Sequence, residues 1–230
     1  MQDAKQPAST IEALIYKATL KQDVYQDTLN TFQLFKKVIK ELVDTNKTLV
    51  RNANPTIILD YEDPGAFEIT LKFGGDYLIF LMHTNIFEFP RDHEVMKTAY
   101  IKEDPSRSYC GMITIYNFLA DSFNYHRESD IGYMIGRIFV NKDLHYFIEG
   151  KREIGMLYNN FQSAEINADT VKQLVESAMT YTLNFDLLTP PYDNMKEVSV
   201  AEMQATLENL PMATGKRLGY RFTADTDTGK

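Results

Sequence analysis

The sequence predicts an α+β fold: a long N-terminal helix packed on a mainly antiparallel sheet of six or more strands, with helices again at the C-terminal end. Three observations carry this. Apolar residues recur with a helical period over about residues 10–45, alternate with a strand-like period over about 55–150, and return to a helical period over about 166–210. Residues 1–210 therefore read as a single domain, and the polar stretch 211–230 as a mobile tail.

Ser9 and Glu12 have the spacing of a capping box and open the first helix. Counting in sevens gives Ile11, Ala18, Tyr25, Phe32 and Ile39, with Leu14, Phe35 and Leu42 in a companion row that Lys21 and Thr28 interrupt. Such a stripe suits first a helix laid across a sheet, and secondly a coiled-coil-like seam between two copies. These residues are thus the candidates for self-association. Asn52, Asn54 and Pro55 break the helical pattern.

Strands are expected at 56–61, 66–73 and 76–84, with Asp63-Pro64-Gly65 as one turn and Gly74-Gly75 as a two-residue hairpin turn. Phe67, Ile69, Leu71 and Phe73 alternate with polar neighbours, as on a sheet with one buried face. The run from Tyr77 to Met82 is apolar on both faces and reads as a central strand under the long helix. Further strands are expected at 86–89, 96–102 and 109–118, the last turning helical toward Phe123, and a hairpin at 132–140 and 144–149 closed by Asn141-Lys142-Asp143. Asn167 caps a helix over about 168–184, and Ser199 with Glu202 opens a shorter one.

Composition narrows the function classes. Hydrophobic residues make up 44% and charged residues 24%, which is ordinary globular composition. The interior should be aromatic, with 14 Tyr, 14 Phe and no Trp, and 10 Met as adaptable filler. The net charge of -8 argues against nucleic acid, and the small cluster Lys36, Lys37, Lys40 sits beside Glu41 and Asp44 as a solvated helix face would. The lone Cys110 leaves no disulfide framework or cysteine zinc site and suits a reducing compartment. The start lacks a signal-peptide pattern, and the longest apolar run is far short of the ~20 residues of a membrane span. A cytoplasmic protein with no membrane association is the expectation.

Several constellations could carry chemistry. Glu149-Gly150-Lys151 ends a predicted strand, with Asp121, Asp130 and Asp143 upstream. It resembles the acidic-x-Lys half of the PD-(D/E)xK nuclease motif, and the resemblance implies carboxylates holding a divalent metal while the lysine activates water. Three residues carry it. Asp3-Ala4-Lys5 matches equally, and the family's upstream Pro-Asp element is missing. The blander reading is a solvated strand end at Lys151, Arg152 and Glu153. His83, His93, His126 and His145 lack a metal-site spacing, and Asp92-His93-Glu94 reads as a surface loop. Cys110 is a nucleophile if paired with one of these histidines and otherwise a small buried strand residue. Gly132 and Gly136 share a strand face and suit close approach or a bulge. Tyr133, Tyr146 and Tyr158 with Arg137 and Arg152 could line a pocket for a planar or anionic ligand. No metal site and no cofactor is implied.

The leading expectation is a non-catalytic ligand- or partner-binding or regulatory protein that self-associates through its first helix. The alternatives are a metal-dependent nuclease or phosphodiesterase using Glu149 and Lys151, and a subunit of a larger hetero-assembly whose acidic surface suits a basic partner.

Overall fold

In the computed structural model, which describes residues 9–128, 130–150, 160–187, 189, 191–201 and 203–204, helix α1 spans Thr10–Ala53, about 66 Å at 1.5 Å per residue. The capping box forms: the Ser9 hydroxyl accepts from the Glu12 N–H at 3.2 Å, and the Ser9 N–H donates to Glu12 Oε2 at 3.1 Å. The helix runs two turns past its expected end because no breaker intervenes before Pro55. The proline drives Asn54 to extended backbone (φ −156°) and stops it there.

Strands β1 (Leu59–Gly65), β2 (Glu68–Phe73), β3 (Asp76–Met82), β4 (Phe87–Glu88), β5 (Tyr109–Leu119), β6 (Tyr133–Asn141) and β7 (Tyr146–Gly150) make one sheet with every pairing antiparallel. The order is β1-β2-β3-β5-β6-β7, and β4 pairs with β5 beyond the end of β3. Gly74-Gly75 is the β2–β3 turn, and Gly74 has φ +54°, which glycine takes without strain.

Three local expectations are overturned. Asp63-Pro64-Gly65 is not a turn but the irregular end of β1, and the reversal falls at Ala66-Phe67. Lys36 of α1 holds that end down, binding the Asp63 carboxylate and donating to the Gly65 carbonyl at 2.6 Å. The first strand begins at Leu59, because Asn54 Oδ1 accepts from both the N–H and the hydroxyl of Thr56 and folds those residues into a turn. Residues 96–102 are helical instead of extended: a 3-10 turn at Glu94–Lys97 leads into helix α2 (Ala99–Glu103), and a second 3-10 turn follows at Pro105–Ser108. His93, Thr98 and Asp104 each cap one of these through a side-chain acceptor, so local capping turns a segment expected to be extended into helical turns.

The sheet has two differently covered faces. On one, Ile69, Leu71, Leu78, Phe80, Ile113, Ile138 and Ile148 lie beneath Phe32, Phe35, Ile39 and Val43 of α1. Helix α4 (Ala168–Leu183), after the one-turn helix α3 (Ala120–Asn124), adds Val171, Leu174 and Val175 to the same core, and Asn167 caps it as expected. Gly111 lets α1 approach β5, since a Cβ there would sit inside the Thr28 side chain. On the opposite face the segment 87–108 folds back over β5–β7, packing Phe89, Val95, Tyr100 and Ile101 against Cys110, Phe139 and Phe161. The one-turn helix α5 (Tyr192–Met195) follows α4.

The seven-residue stripe divides between two environments. Phe32, Phe35 and Ile39 are fully buried within the chain, and Tyr25 and Leu42 are partly buried against the same core. Ile11 and Leu14 are 63% and 61% exposed, with Ala18 also exposed. On a straight helix a strict seven-residue row drifts about 20° per heptad, so over the four heptads from Ile39 back to Ile11 it turns about 80° away from the sheet. Among the described residues no helix is long and apolar enough to cross a membrane.

Candidate functional site

The sheet register brings together two residues that belong to separate motifs in the sequence. Arg137 in β6 lies directly opposite Glu149 in β7, on the face away from α1. Arg137 Nε and Nη2 each approach Glu149 Oε2 at 2.5 Å. The other carboxylate oxygen, Oε1, lies 3.0 Å from His93 Nε2. His93 reaches it from the folded-back segment, where its Nδ1 accepts from the Val95 N–H at 3.2 Å. An Nδ1 that accepts is unprotonated, so the hydrogen-bond network assigns the proton to Nε2, which donates to Glu149. Both imidazole nitrogens and both carboxylate oxygens are therefore engaged.

Aromatic packing fixes this cluster in place. The His93 ring stacks on Phe89 at 4.8 Å and meets Phe147 edge-on at 5.8 Å, and Phe89 contacts Phe139 at 4.9 Å. The Arg137 guanidinium lies 5.3 Å from the Phe139 ring centroid. Beside the cluster is a cavity of about 310 Å³, walled by Phe87, Phe89, Phe139 and Met112, with Cys110 at its floor and Arg137, Glu149, His93 and Glu88 as its polar lining. Burial pushes the Cys110 thiol well above its ordinary range, so it is a protonated wall atom and not a thiolate nucleophile. Met112 also borders a shallower concavity of about 510 Å³ over Glu68, Leu81, Thr114 and Tyr116, on the part of the sheet that the 87–108 segment leaves open.

The remaining sequence candidates are dispersed. Tyr146 pairs with Val140 and points into the α1-side core, so it is on the other face from Arg137. Tyr133 pairs with Asn117 at the far end of β6. Lys151, Arg152 and Tyr158 lie outside the described residues, as do Glu202 and the 211–230 tail. Asp121 belongs to α3, Asp130 accepts from the Ser122 hydroxyl at 2.7 Å, and Asp143 is held by Arg107 Nε at 2.9 Å, so each has a setting separate from Glu149. His83 accepts from the Asn85 N–H, His126 sits in a left-handed turn, and His145 stacks on Tyr100. Among the described residues no group of three or more His, Cys, Asp and Glu is placed to hold a metal.

A second polar network has no counterpart in the sequence reading. Asn141 Nδ2 donates to the Tyr100 hydroxyl at 2.9 Å, and that hydroxyl donates to Asp143 Oδ2 at 2.8 Å. The Arg107 guanidinium stacks on the Tyr100 ring at 4.4 Å. Burial, together with the neighbouring Asp143, pushes the Tyr100 phenol above its ordinary range. The network ties the folded-back segment to the β6–β7 turn and so holds one wall of the cavity. Its partners are about 40 residues apart, beyond any local motif. Comparison of the chain with protein-family models, with curated proteins and with solved structures finds no match.

Proposed function

We propose that this is a non-catalytic binding protein whose cavity beside Arg137 and Glu149 holds a small ligand. The observation that carries the reading is that three of the acid–base and nucleophilic candidates at the cavity, Glu149, His93 and Cys110, are already engaged or suppressed. Glu149 is bound at both oxygens, His93 at both nitrogens, and the Cys110 thiol is buried. Glu149 thereby acts as a positioning residue for Arg137. A metal-dependent cleavage reading needs Glu149 free to share a metal with other ligands, whereas its two oxygens face a guanidinium and an imidazole and no three potential ligands are grouped among the described residues.

Native mass spectrometry of the full chain purified from its own host tests this. The expected result is a non-covalent small-molecule adduct that Arg137→Leu loses while the chain stays folded. Metal-dependent cleavage of nucleic acid that disappears in Glu149→Ala would overturn the reading.

A separate observation supports self-association. Ile11, Leu14 and Ile15 are all more than 60% exposed on the first turns of α1, with Ala18 beside them, in a patch that turns away from the sheet. We infer that a second copy covers this patch, since two such helix ends can interleave their bulky side chains around the small Ala18. Light scattering should report a dimer that Ile11→Glu with Leu14→Glu converts to a monomer, and a monomeric parent protein would refute it.

A further inference from the structure

Resting on the binding reading above, we infer that the ligand is an elongated dipolar molecule, with a carboxylate held by Arg137, an ammonium held by Glu68 and an apolar spacer between them. Three observations lead there.

The first is a row that the register builds across the sheet. Glu68 of β2 lies opposite Leu81 of β3, Leu81 opposite Thr114 of β5, Thr114 opposite Arg137 of β6, and Arg137 opposite Glu149 of β7. Their chain neighbours Ile69, Phe80, Ile113, Ile138 and Ile148 belong to the α1-side core, so the whole row faces the other way. Neighbouring strands are about 4.8 Å apart, which sets Glu68 and Arg137 about 14 Å apart along the row.

The second is the surface between the two ends. Glu68, Leu81 and Thr114 line the open concavity of about 510 Å³, Arg137 and Glu149 line the cavity of about 310 Å³, and Met112 lines both. The two spaces thus adjoin at one adaptable thioether. Between the charged ends lie Leu81, 37% exposed, and Thr114, whose hydroxyl donates to the Leu81 carbonyl at 3.3 Å. A chain crossing there meets mainly apolar surface.

The third is the state of the ends themselves. Glu149 takes the Nε and Nη2 donors on the side-on edge of the Arg137 guanidinium. The end-on pair on Nη1 and Nη2 has no partner among the described residues, and such a pair grips a carboxylate through two parallel hydrogen bonds. The Glu68 carboxylate likewise has no hydrogen-bond or ion-pair partner among the described residues. Lys72, a cation on the same face of β2, is bound to Glu62 at 2.5 Å and so does not neutralise Glu68. Glu88, also in the cavity lining, pairs with Tyr109 and is already bonded to the Tyr109 side chain. A ligand with one charge pairs with one end of the row, and a dipolar ligand pairs with both. Its charges are about 8–14 Å apart, the lower value if each contact takes up about 3 Å of the row.

The test is a titration of the ¹⁵N-labelled full-length chain with 8-aminooctanoate, octanoate, octylammonium and 4-aminobutanoate. The first carries both charges about 10 Å apart, the next two share its chain with one charge each, and the last has both charges only about 5 Å apart. The readout is the backbone amide resonances of Leu81 and Thr114 at one concavity and of Arg137 and Phe139 at the other. The inference expects 8-aminooctanoate to shift both pairs saturably and to bind at least about tenfold tighter than the other three, the gain from a second charge-assisted contact at a partly exposed site. Arg137→Leu should reduce it to the affinity of octylammonium for the parent protein, and Glu68→Gln to that of octanoate, with the α1 amides unmoved to confirm the fold. Glu88→Gln should change it by less than about twofold. If any of the other three probes binds as tightly as 8-aminooctanoate, or if Glu88→Gln costs affinity and Glu68→Gln does not, the inference fails and the cavity reading stands. If none of the four binds, the inference also fails, and the host-purified adduct decides whether the binding reading fails with it.

Discussion

Replacing Glu149 by glutamine should destabilise the protein, and the structure sets the scale. The carboxylate accepts from the His93 Nε2–H and from Arg137 through two nitrogens. A hydrogen bond to a charged group contributes about 1.5–3 kcal/mol when it is shielded from water. Here the side chains of Glu149 and Arg137 are 28% and 41% exposed, so water replaces part of what is lost and the ion-pair contribution falls to about 1 kcal/mol. Glutamine keeps one acceptor oxygen, and its amide group must then face either Arg137 or the His93 N–H, both of which are donors. The net loss is about 1–2 kcal/mol, or about 2–8 °C in Tm for a chain of this length. Thermal unfolding followed by circular dichroism, with urea unfolding as a check that the m-value is unchanged, measures it. A Glu149→Gln protein as stable as the parent, or more stable, would show that the carboxylate does not brace Arg137 and His93. That outcome is the one expected of a carboxylate kept for catalysis at the expense of stability.

Other regions give independent expectations. Gly111→Ala should lower stability by about 1–3 kcal/mol in urea unfolding, because its Cβ must displace Thr28 and move α1 off β5, and an unchanged midpoint would contradict the packing described. Native Cys110 should resist alkylation by iodoacetamide at pH 8 and react at once in urea, and fast native labelling would contradict its burial. Burial acts to raise the Asp104 pKa, but hydrogen bonds from Lys142 and Ser106 outweigh it and hold the carboxyl down at about 2. A depressed carboxylate stabilises the fold above its unfolded pKa near 4, and that contribution is lost as the pH falls from about 4 through about 2. Asp104→Asn should therefore flatten the acid limb of stability against pH in that window and leave its shape near pH 7 unaltered. An acid limb identical to the parent's would contradict the pairing.

The parts of the fold legible in the sequence are those specified locally. Ser9 with Glu12 and Asn167 with its helix are self-contained caps, Gly74-Gly75 is a turn that needs no tertiary support, and period-2 alternation marks β2 and β5. The misread segments depend on something distant or on competing local signals. Lys36, 27 residues upstream, holds Asp63 in place, and the His93 and Thr98 caps wind residues 96–102, which were expected to be extended, into helical turns.

The site was half legible. Arg137 and Glu149 each stood out, in different motifs, and the hairpin could have joined them. With the turn at Asn141-Lys142-Asp143, the contact of Asn141 N–H with His145 O sets a register that places Arg137 opposite Glu149. His93, 56 residues from Glu149, arrives only through the folded-back segment, which no local pattern announces. The apolar stripe was legible as a row but not in its division, because the drift of a straight helix matters only once one end is fixed to a sheet.

The most direct test of the account is a crystal structure of the full chain purified from its own host without added ligand. Expected are Glu149 clasping Arg137 and His93, and density for a small molecule in the cavity beside Arg137 and Glu149. A cavity closed by its own side chains, or Glu149 turned away from Arg137 toward a metal ion, would contradict it.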